Sequence, residues 1–169
     1  MSPGGHHIAD DGWFWSPVGV PTTWDIRAWL NHNVWESEDG NSLRPLCQRL
    51  YHWNSPICWL DDERVVVSGI GDDDEAMLAG VRIFNAATGN ELTSFAGPTG
   101  ALFADAARLY AAAPAGLELW DPATGHRTGT ILGFVPTHHH VGAGELAAVG
   151  GKALRRWRTR SRRGGIVVR

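Results

Sequence analysis

The chain has 169 residues, of which 43% are hydrophobic and 20% charged; these proportions exclude a disordered polypeptide and favour a globular domain. No apolar run approaches the roughly 18 to 20 residues of a membrane helix, and the N-terminal segment lacks the basic and apolar regions of a signal peptide. The net charge of −3 is divided unevenly: residues 1–151 contain all 18 acidic and 7 basic residues, and residues 152–169 contain 8 basic residues. We therefore expect a cytoplasmic protein with an acidic body, a basic tail and no membrane partner.

The content of tryptophan and glycine favours an all-β fold. The chain has nine Trp and 21 Gly. Indoles suit the half-buried surface of a strand, and glycine permits the positive φ angles of tight turns. The two cysteines, Cys47 and Cys58, are separated by ten residues, a spacing that matches no zinc or redox motif. We interpret them as buried thiols, and because a disulfide would need an oxidising compartment, their redox state stays open.

Residues 1–52 are expected to form a divergent copy of a repeat that becomes clear later in the chain. The alternation in Trp13-Phe14-Trp15 predicts a strand, and the segment from Val20 to Asp25 ends in a Trp-Asp pair that suits a second strand. Residues 27–52 break this pattern, and we interpret them as an insertion. Within it, the stretch from Ser42 to Tyr51 is compatible with a short helix that has Ser42 as its N-cap.

Residues 53–97 predict four strands joined by turns, at residues 57–60, 64–69, 81–85 and 91–95. The loop Asp72-Asp73-Asp74-Glu75, between the second and third strands, has the oxygen ligands that calcium prefers. It lacks the Asp-x-Asp-x-Asp-Gly spacing of a loop that wraps the ion. We therefore interpret it as a solvated acidic loop.

A segment of this unit, residues 80–89, recurs 36 residues later as residues 116–125. Self-similarity at such a period indicates a repeat architecture. In the second copy, Asp121 can accept turn N–H groups, Pro122 fixes φ and Gly125 takes the left-handed position, so the turn joins two strands of a hairpin. The structural positions of the repeat are Phe84, Thr88, Gly89, Trp120, Asp121, Thr124, Gly125 and Trp157.

Two further units follow. Residues 98–133 repeat the scheme, with strands predicted at 101–104, 108–112, 117–120 and 127–132. Residues 134–158 predict an incomplete unit with three strands, at 138–141, 145–149 and 153–157, and Trp157 lies 37 residues after Trp120. We expect residues 159–169 to form a disordered basic tail, although Ile166-Val167-Val168 is compatible with a fourth strand.

The Trp120-Asp121 pair and the turn Asp121-Pro122-Ala123-Thr124-Gly125 resemble those of bacterial β-propellers of the WD-repeat-like and pyrroloquinoline-quinone-repeat-like groups. The resemblance covers residues 53–160, and the Trp-rich N-terminal segment is similar to that of uncharacterised actinobacterial proteins of this type. It implies a partial β-propeller of about three to four four-stranded antiparallel blades with a short irregular or helical insertion. The Gly-His dipeptide of true WD repeats is absent at the expected places. No calcium or quinone ligand can be matched, so no cofactor or catalytic residue is carried over.

The number of units is too small for a closed ring. A closed propeller needs at least four blades, and the sequence supplies about three and a half. An open array leaves strand edges and apolar faces exposed. We expect the chain to be part of a longer protein, to close by oligomerisation or to form an open arc, and we favour the first.

Two groups of residues suggest a site. In His138-His139-His140, adjacent side chains of a strand point to opposite faces, so at most His138 and His140 can share a metal. Because a third ligand is not evident, we interpret them as strand and turn surface and expect no metal. A possible interaction tail consists of Arg155, Arg156, Arg158, Arg160, Arg162 and Arg163. These could contact phosphates, with Trp157 stacking on a base, or dock on the acidic body, and a nucleic-acid partner is the weaker interpretation.

No nucleophile–base motif or phosphate-binding glycine loop is present in the sequence. We therefore predict a non-enzymatic module that binds a protein or peptide or associates with itself. The alternative is part of a propeller enzyme whose site lies in further blades.

Overall fold

The computed structural model describes residues 1–15, 18–71, 77–150, 152–159 and 166–168. It confirms the predicted all-β character, with 51% of the residues in strands and 7% in helices. The strands form several small antiparallel sheets, and the chain divides into two compact units, residues 1–97 and 98–169. The acidic loop at residues 72–75 lies outside the described residues.

The first unit begins with two three-stranded sheets that share the same three passes of the chain. The strands are β1 (His7–Asp10), β2 (Trp13–Trp15), β3 (Val18–Gly19), β4 (Thr22–Asp25), β5 (Arg44–Pro45) and β6 (Arg49–Leu50). One sheet has the order β1-β4-β5 and the other the order β2-β3-β6. Each pass of the chain therefore contributes one strand to each sheet, and all neighbouring strands are antiparallel.

Two short helices, α1 (Ile26–Asn31) and α2 (Glu36–Asp39), connect the second pass to the third. The helix predicted from Ser42 to Tyr51 is wrong, because this stretch contains β5 and β6. Pro45 lacks a backbone N–H and disfavours a helical conformation at Arg44, which suits an extended edge strand instead. The insertion therefore ends earlier than residue 52.

The third sheet of this unit consists of β7 (Ile57–Trp59), β8 (Arg64–Ile70), β9 (Leu78–Asn85) and β10 (Glu91–Ala96), in the order β10-β9-β8-β7. The run of valines in β8 is fully buried, as expected for β-branched residues in a central strand. Val65, Val67 and Phe84 form one core with Leu46. Ala9 also packs against it, so this core joins the third sheet to the N-terminal strands.

The second unit contains two four-stranded sheets in which each strand pairs with the next. The first comprises β11 (Ala101–Asp105), β12 (Arg108–Ala113), β13 (Gly116–Trp120) and β14 (Arg127–Leu132), and the second comprises β15 (His138–His140), β16 (Glu145–Gly150), β17 (Ala153–Arg158) and β18 (Ile166–Val168). A core of six buried side chains lies between the two sheets: Tyr110, Leu117, Phe134, Leu146, Ala148 and Trp157.

The strand β18 corrects the expectation of an incomplete unit followed by a disordered tail. Trp157 pairs with Ile166 and Arg155 with Val168 in an antiparallel register. The β-branched run at 166–168 thus covers the edge that β17 would otherwise leave open. Of the expected tail, residues 160–165 and 169 lie outside the described residues.

Candidate functional site

The repeated turn has the same hydrogen bonds in both copies. The Asn85 side-chain oxygen accepts from the backbone N–H groups of Ala87 (3.1 Å) and Thr88 (2.9 Å) and from the Thr88 hydroxyl (3.0 Å). In the second copy, the Asp121 carboxylate accepts from the Ala123 N–H at 2.8 Å. The hydrogen bond from Ala123 and that from the Thr124 hydroxyl lower the pKa of Asp121. The first turn residue is therefore an acceptor that holds the turn closed.

The last residue of each turn is a glycine with positive φ. Gly89 has φ +75° and Gly125 has φ +69°, and the N–H of each donates to the backbone carbonyl of the first turn residue at 2.8 Å. Residues with a Cβ rarely adopt this conformation. Thr88, Gly89, Thr124 and Gly125 therefore have a structural role in the turn.

The aromatic repeat positions are in the strands that precede the turns. Phe84 is fully buried in the core of the first unit. The Trp120 indole N–H donates to Glu118 at 3.2 Å. The ring of Trp157 lies edge-on to Tyr110 with 5.6 Å between centroids. These side chains pack in or beside the cores, and none offers an open binding face.

The described arginines of the predicted interaction tail all have partners within the second unit. Arg155 donates to the Gly133 carbonyl at 2.7 Å. Arg156 and Arg158 both pair with Glu145, at 3.2 and 3.1 Å. Arg160, Arg162 and Arg163 lie outside the described residues. The three described arginines therefore belong to β17 and its surroundings, and the Glu145 carboxylate offsets part of the charge of Arg156 and Arg158.

The three histidines of β15 lie in different surroundings. The His138 ring nitrogen is hydrogen-bonded to the Thr137 hydroxyl at 2.7 Å, and that of His140 accepts from the Ala143 N–H at 3.0 Å. His139 is half-buried against Phe103, and desolvation lowers its pKa. Among the described residues no three His, Cys, Asp or Glu side chains are grouped so that they could hold a metal ion.

The two cysteines are not joined as a disulfide. Cys58 lies in β7, where it pairs with Val66 of β8. Burial raises the pKa of the Cys58 thiol to about 12, so the thiol is protonated and a poor nucleophile at neutral pH.

A cleft of about 360 Å³ in the first unit is a candidate binding site. Its walls come from the end of β1 and the start of β2, from β3 to β4, and from α2 with the loop that follows. The lining residues are Asp10, Gly12, Trp13, Val20, Thr22, Trp24, Ser37, Glu38 and Leu43. This volume lies at the lower end of the range of small-molecule and side-chain pockets.

The cleft combines carboxylates with indoles. Asp10 and Glu38 are both exposed, and among the described residues no lysine or arginine lines the cleft. Trp13 is 61% exposed, and Trp24 is 8% exposed with its ring edge-on to Trp29 at 6.3 Å. Two acidic groups beside exposed aromatic surface favour a positively charged ligand, since a cation is attracted to both.

Buried polar contacts hold the walls of the cleft in place. Adjacent residues of an extended chain face opposite sides. Asp10 lines the cleft, so Asp11 points into the first unit, where its carboxylate pairs with Arg49 at 2.7 Å. On the other wall, the Glu36 carboxylate accepts from both the N–H and the hydroxyl of Ser42 at 2.6 Å, and these bonds lower its pKa. Ser42 therefore anchors α2 by donating to Glu36. The sequence predicts a different role for Ser42, as the N-cap of a helix that follows it.

Sequence reasoning missed this cleft because its acidic residues lie 28 positions apart and belong to no motif. The available signal was the segment Asp10-Asp11-Gly12-Trp13, where two adjacent acids precede an indole. Without the path of the insertion, nothing brings Glu38 beside it.

Across the described ranges, no helix has the length and apolar character needed to cross a membrane. No protein-family model matches the chain. The search among curated proteins likewise yields no match.

Proposed function

We propose that the four-stranded sheets are successive blades of a β-propeller of the WD-repeat-like or pyrroloquinoline-quinone-repeat-like kind. Three consecutive sheets, β7 to β10, β11 to β14 and β15 to β18, each consist of four strands that follow one another in the chain. Neighbouring blades of a propeller pack through their apolar faces, and the core between the two sheets of the second unit has this form. The repeated turn at Asn85 and Asp121 supports the same interpretation.

We further propose that the chain is a non-catalytic module that binds a protein or peptide. The observation that carries this proposal is the apolar surface of the insertion. Leu30, Val34 and Trp35 are each at least 65% exposed, and they lie within six residues on and between α1 and α2. Aromatic and aliphatic side chains grouped on the surface are typical of protein contacts, and segments inserted into a rigid framework commonly carry the binding function.

A capture experiment tests this proposal. The immobilised chain is expected to retain one stoichiometric partner from an extract of its own cells, and the variant Val34→Ser/Trp35→Ala is expected to lose it. Both side chains are exposed, so the variant should keep the circular dichroism spectrum of the original. The matched control is Val149→Ser, because Val149 is also 65% exposed but lies in the second unit. Failure to retain a partner, or equal retention by both variants, would refute the proposal.

A further inference from the structure

We propose that the cleft between β1, β4 and α2 receives an arginine or lysine side chain of the bound peptide, with Asp10 and Glu38 as its carboxylate partners. This inference rests on the proposed function and adds to it the chemistry of the partner.

Asp10 and Glu38 differ from the other acidic residues around the cleft. Asp11 is paired with Arg49, and Asp25 accepts from the Ala28 N–H at 2.7 Å. The Glu36 carboxylate accepts from Ser42 on one oxygen and from the Asn33 amide on the other. In the described part of the chain, neither the Asp10 nor the Glu38 carboxylate has a hydrogen-bond or ion-pair partner. The pKa of Asp11 is raised by burial and, to a smaller extent, by the negative charge of Asp10. A cation in the cleft would therefore meet two carboxylates that are not already neutralised.

The indoles supply the second attraction. Trp13 lines the cleft and is 61% exposed, and a guanidinium or ammonium group over an indole face gains a cation–π interaction. Trp24, at 8% exposure, lines the same cleft, and its buried indole nitrogen has no acceptor among the described residues.

The ligand set favours an organic cation over a metal ion. Calcium takes six to eight oxygen ligands and magnesium an octahedral shell, whereas the cleft provides two carboxylates and the hydroxyls of Thr22 and Ser37. The volume of about 360 Å³ far exceeds what a bare ion occupies and suits a long side chain. Because arginine stacks on indoles and binds carboxylates through two N–H groups, it fits this surface better than lysine.

Calorimetric titration of the full chain tests the inference. The probe is the peptide acetyl-Gly-Arg-Gly-amide, and its control is the same peptide with citrulline, which keeps the shape of arginine but is uncharged. We expect the arginine peptide to bind at least about tenfold more tightly than the citrulline peptide. Ethylguanidinium, tested separately, distinguishes a site for any small cation from one that needs the peptide backbone, and we expect it to bind more weakly than the peptide.

The variant Asp10→Asn/Glu38→Gln is expected to weaken the arginine peptide by about tenfold or more, and Trp13→Ala by about threefold to tenfold. The matched control is Asp39→Asn/Glu63→Gln, which removes two exposed acids outside the cleft and changes the net charge equally; its affinity should stay within about twofold. Equal binding of the two peptides, no binding to the original chain, or unchanged affinity of the cleft variant would overturn the inference.

The two proposals fail in different ways. Capture of a partner that depends on Trp35 but not on Asp10 and Glu38, together with no arginine selectivity, would overturn the inference and leave the proposed function intact. Arginine-selective binding that depends on the two carboxylates, with no partner captured, would support the chemistry of the cleft and refute the proposed function.

Discussion

Arg49 and Asp11 form an ion pair that is almost completely withdrawn from water, with side-chain exposures of 1% and 3%. Taking both charges out of water is costly, and this desolvation raises the pKa of Asp11 although Arg49 lowers it. Further hydrogen bonds compensate part of this cost, because Asp11 also accepts from the Ser55 N–H at 2.8 Å and Arg49 donates to the Ser68 carbonyl. The pair thus ties three segments of the first unit together.

Such a pair could not be predicted from the sequence, because its members lie 38 residues apart and either residue alone reads as a surface charge. The turn acceptors were different. The role of Asp121 follows from the sequence, since its bonds reach only two or three residues along the chain. Local hydrogen bonds leave a sequence signal, and bonds between distant segments leave none.

Stability should depend on pH through His139. Desolvation lowers its pKa below the ordinary value of 6.5, so the unfolded chain binds a proton more readily than the folded one. The contribution of the neutral ring is therefore complete above pH 6.5 and is lost as the pH falls through 6.5 towards the folded pKa. We expect the thermal midpoint to fall between pH 7.5 and 5, and to fall less in His139→Gln. The control is His126→Gln, at an exposed turn position; an equal loss in all three proteins would contradict the assignment.

At the scale of elements, strands and turns were predictable where one local rule applied. The valine run of β8 and the 36-residue repeat at β13 predict strands that are present. The stretch from Ser42 to Tyr51 contains a residue suited to an N-cap, Ser42, but Pro45 disfavours the helix that would follow it. The short pairings of β5 and β6, two residues each, depend on distant strands and have no pattern of their own.

The hairpin turn can be tested at Gly125. The backbone there has φ +69°, a conformation that costs a residue with a Cβ about 1 to 2 kcal/mol. Gly125→Ala is therefore expected to lower the free energy of unfolding by about 1 kcal/mol or more. Gly129→Ala is the matched control, since Gly129 follows in β14, has no positive φ and leaves open space for a Cβ. Urea unfolding of both variants measures the difference, and equal losses would show that the turn conformation is not the cause.

At the scale of the whole molecule, the order of the repeat units can be predicted from the sequence. The cleft cannot, because distant segments build it. The 36-residue repeat predicted strands at positions where the structure has them, because each repeat satisfies its hydrogen bonds within itself. The cleft needs β1, β4 and α2 together, and its geometry depends on how the insertion folds back through Glu36 and Ser42. Whether the sheets close into a ring depends on contacts that no local pattern encodes.

The C-terminal segment, residues 160–169, is either a basic tail or a part of the sheet through β18, and a truncation distinguishes the two. If residues 166–168 complete the sheet through their pairing with β17, then deleting residues 160–169 should destabilise the second unit by about 1 to 3 kcal/mol, as expected for three cross-strand pairs. The exposed edge of β17 should also promote self-association. Both effects can be measured by urea unfolding and by sedimentation of the truncated chain.

The control for this truncation is Arg160→Gln/Arg162→Gln/Arg163→Gln/Arg169→Gln, which removes the four arginine charges of the segment and keeps the strand. If the segment serves only as a basic tail, the charge variant and the truncation should have the same small effect on unfolding. If β18 is an integral strand, the charge variant should unfold like the original chain while the truncation does not. Because Arg156 and Arg158 remain paired with Glu145 in both proteins, the difference between them reports on the backbone pairing of β17 with β18.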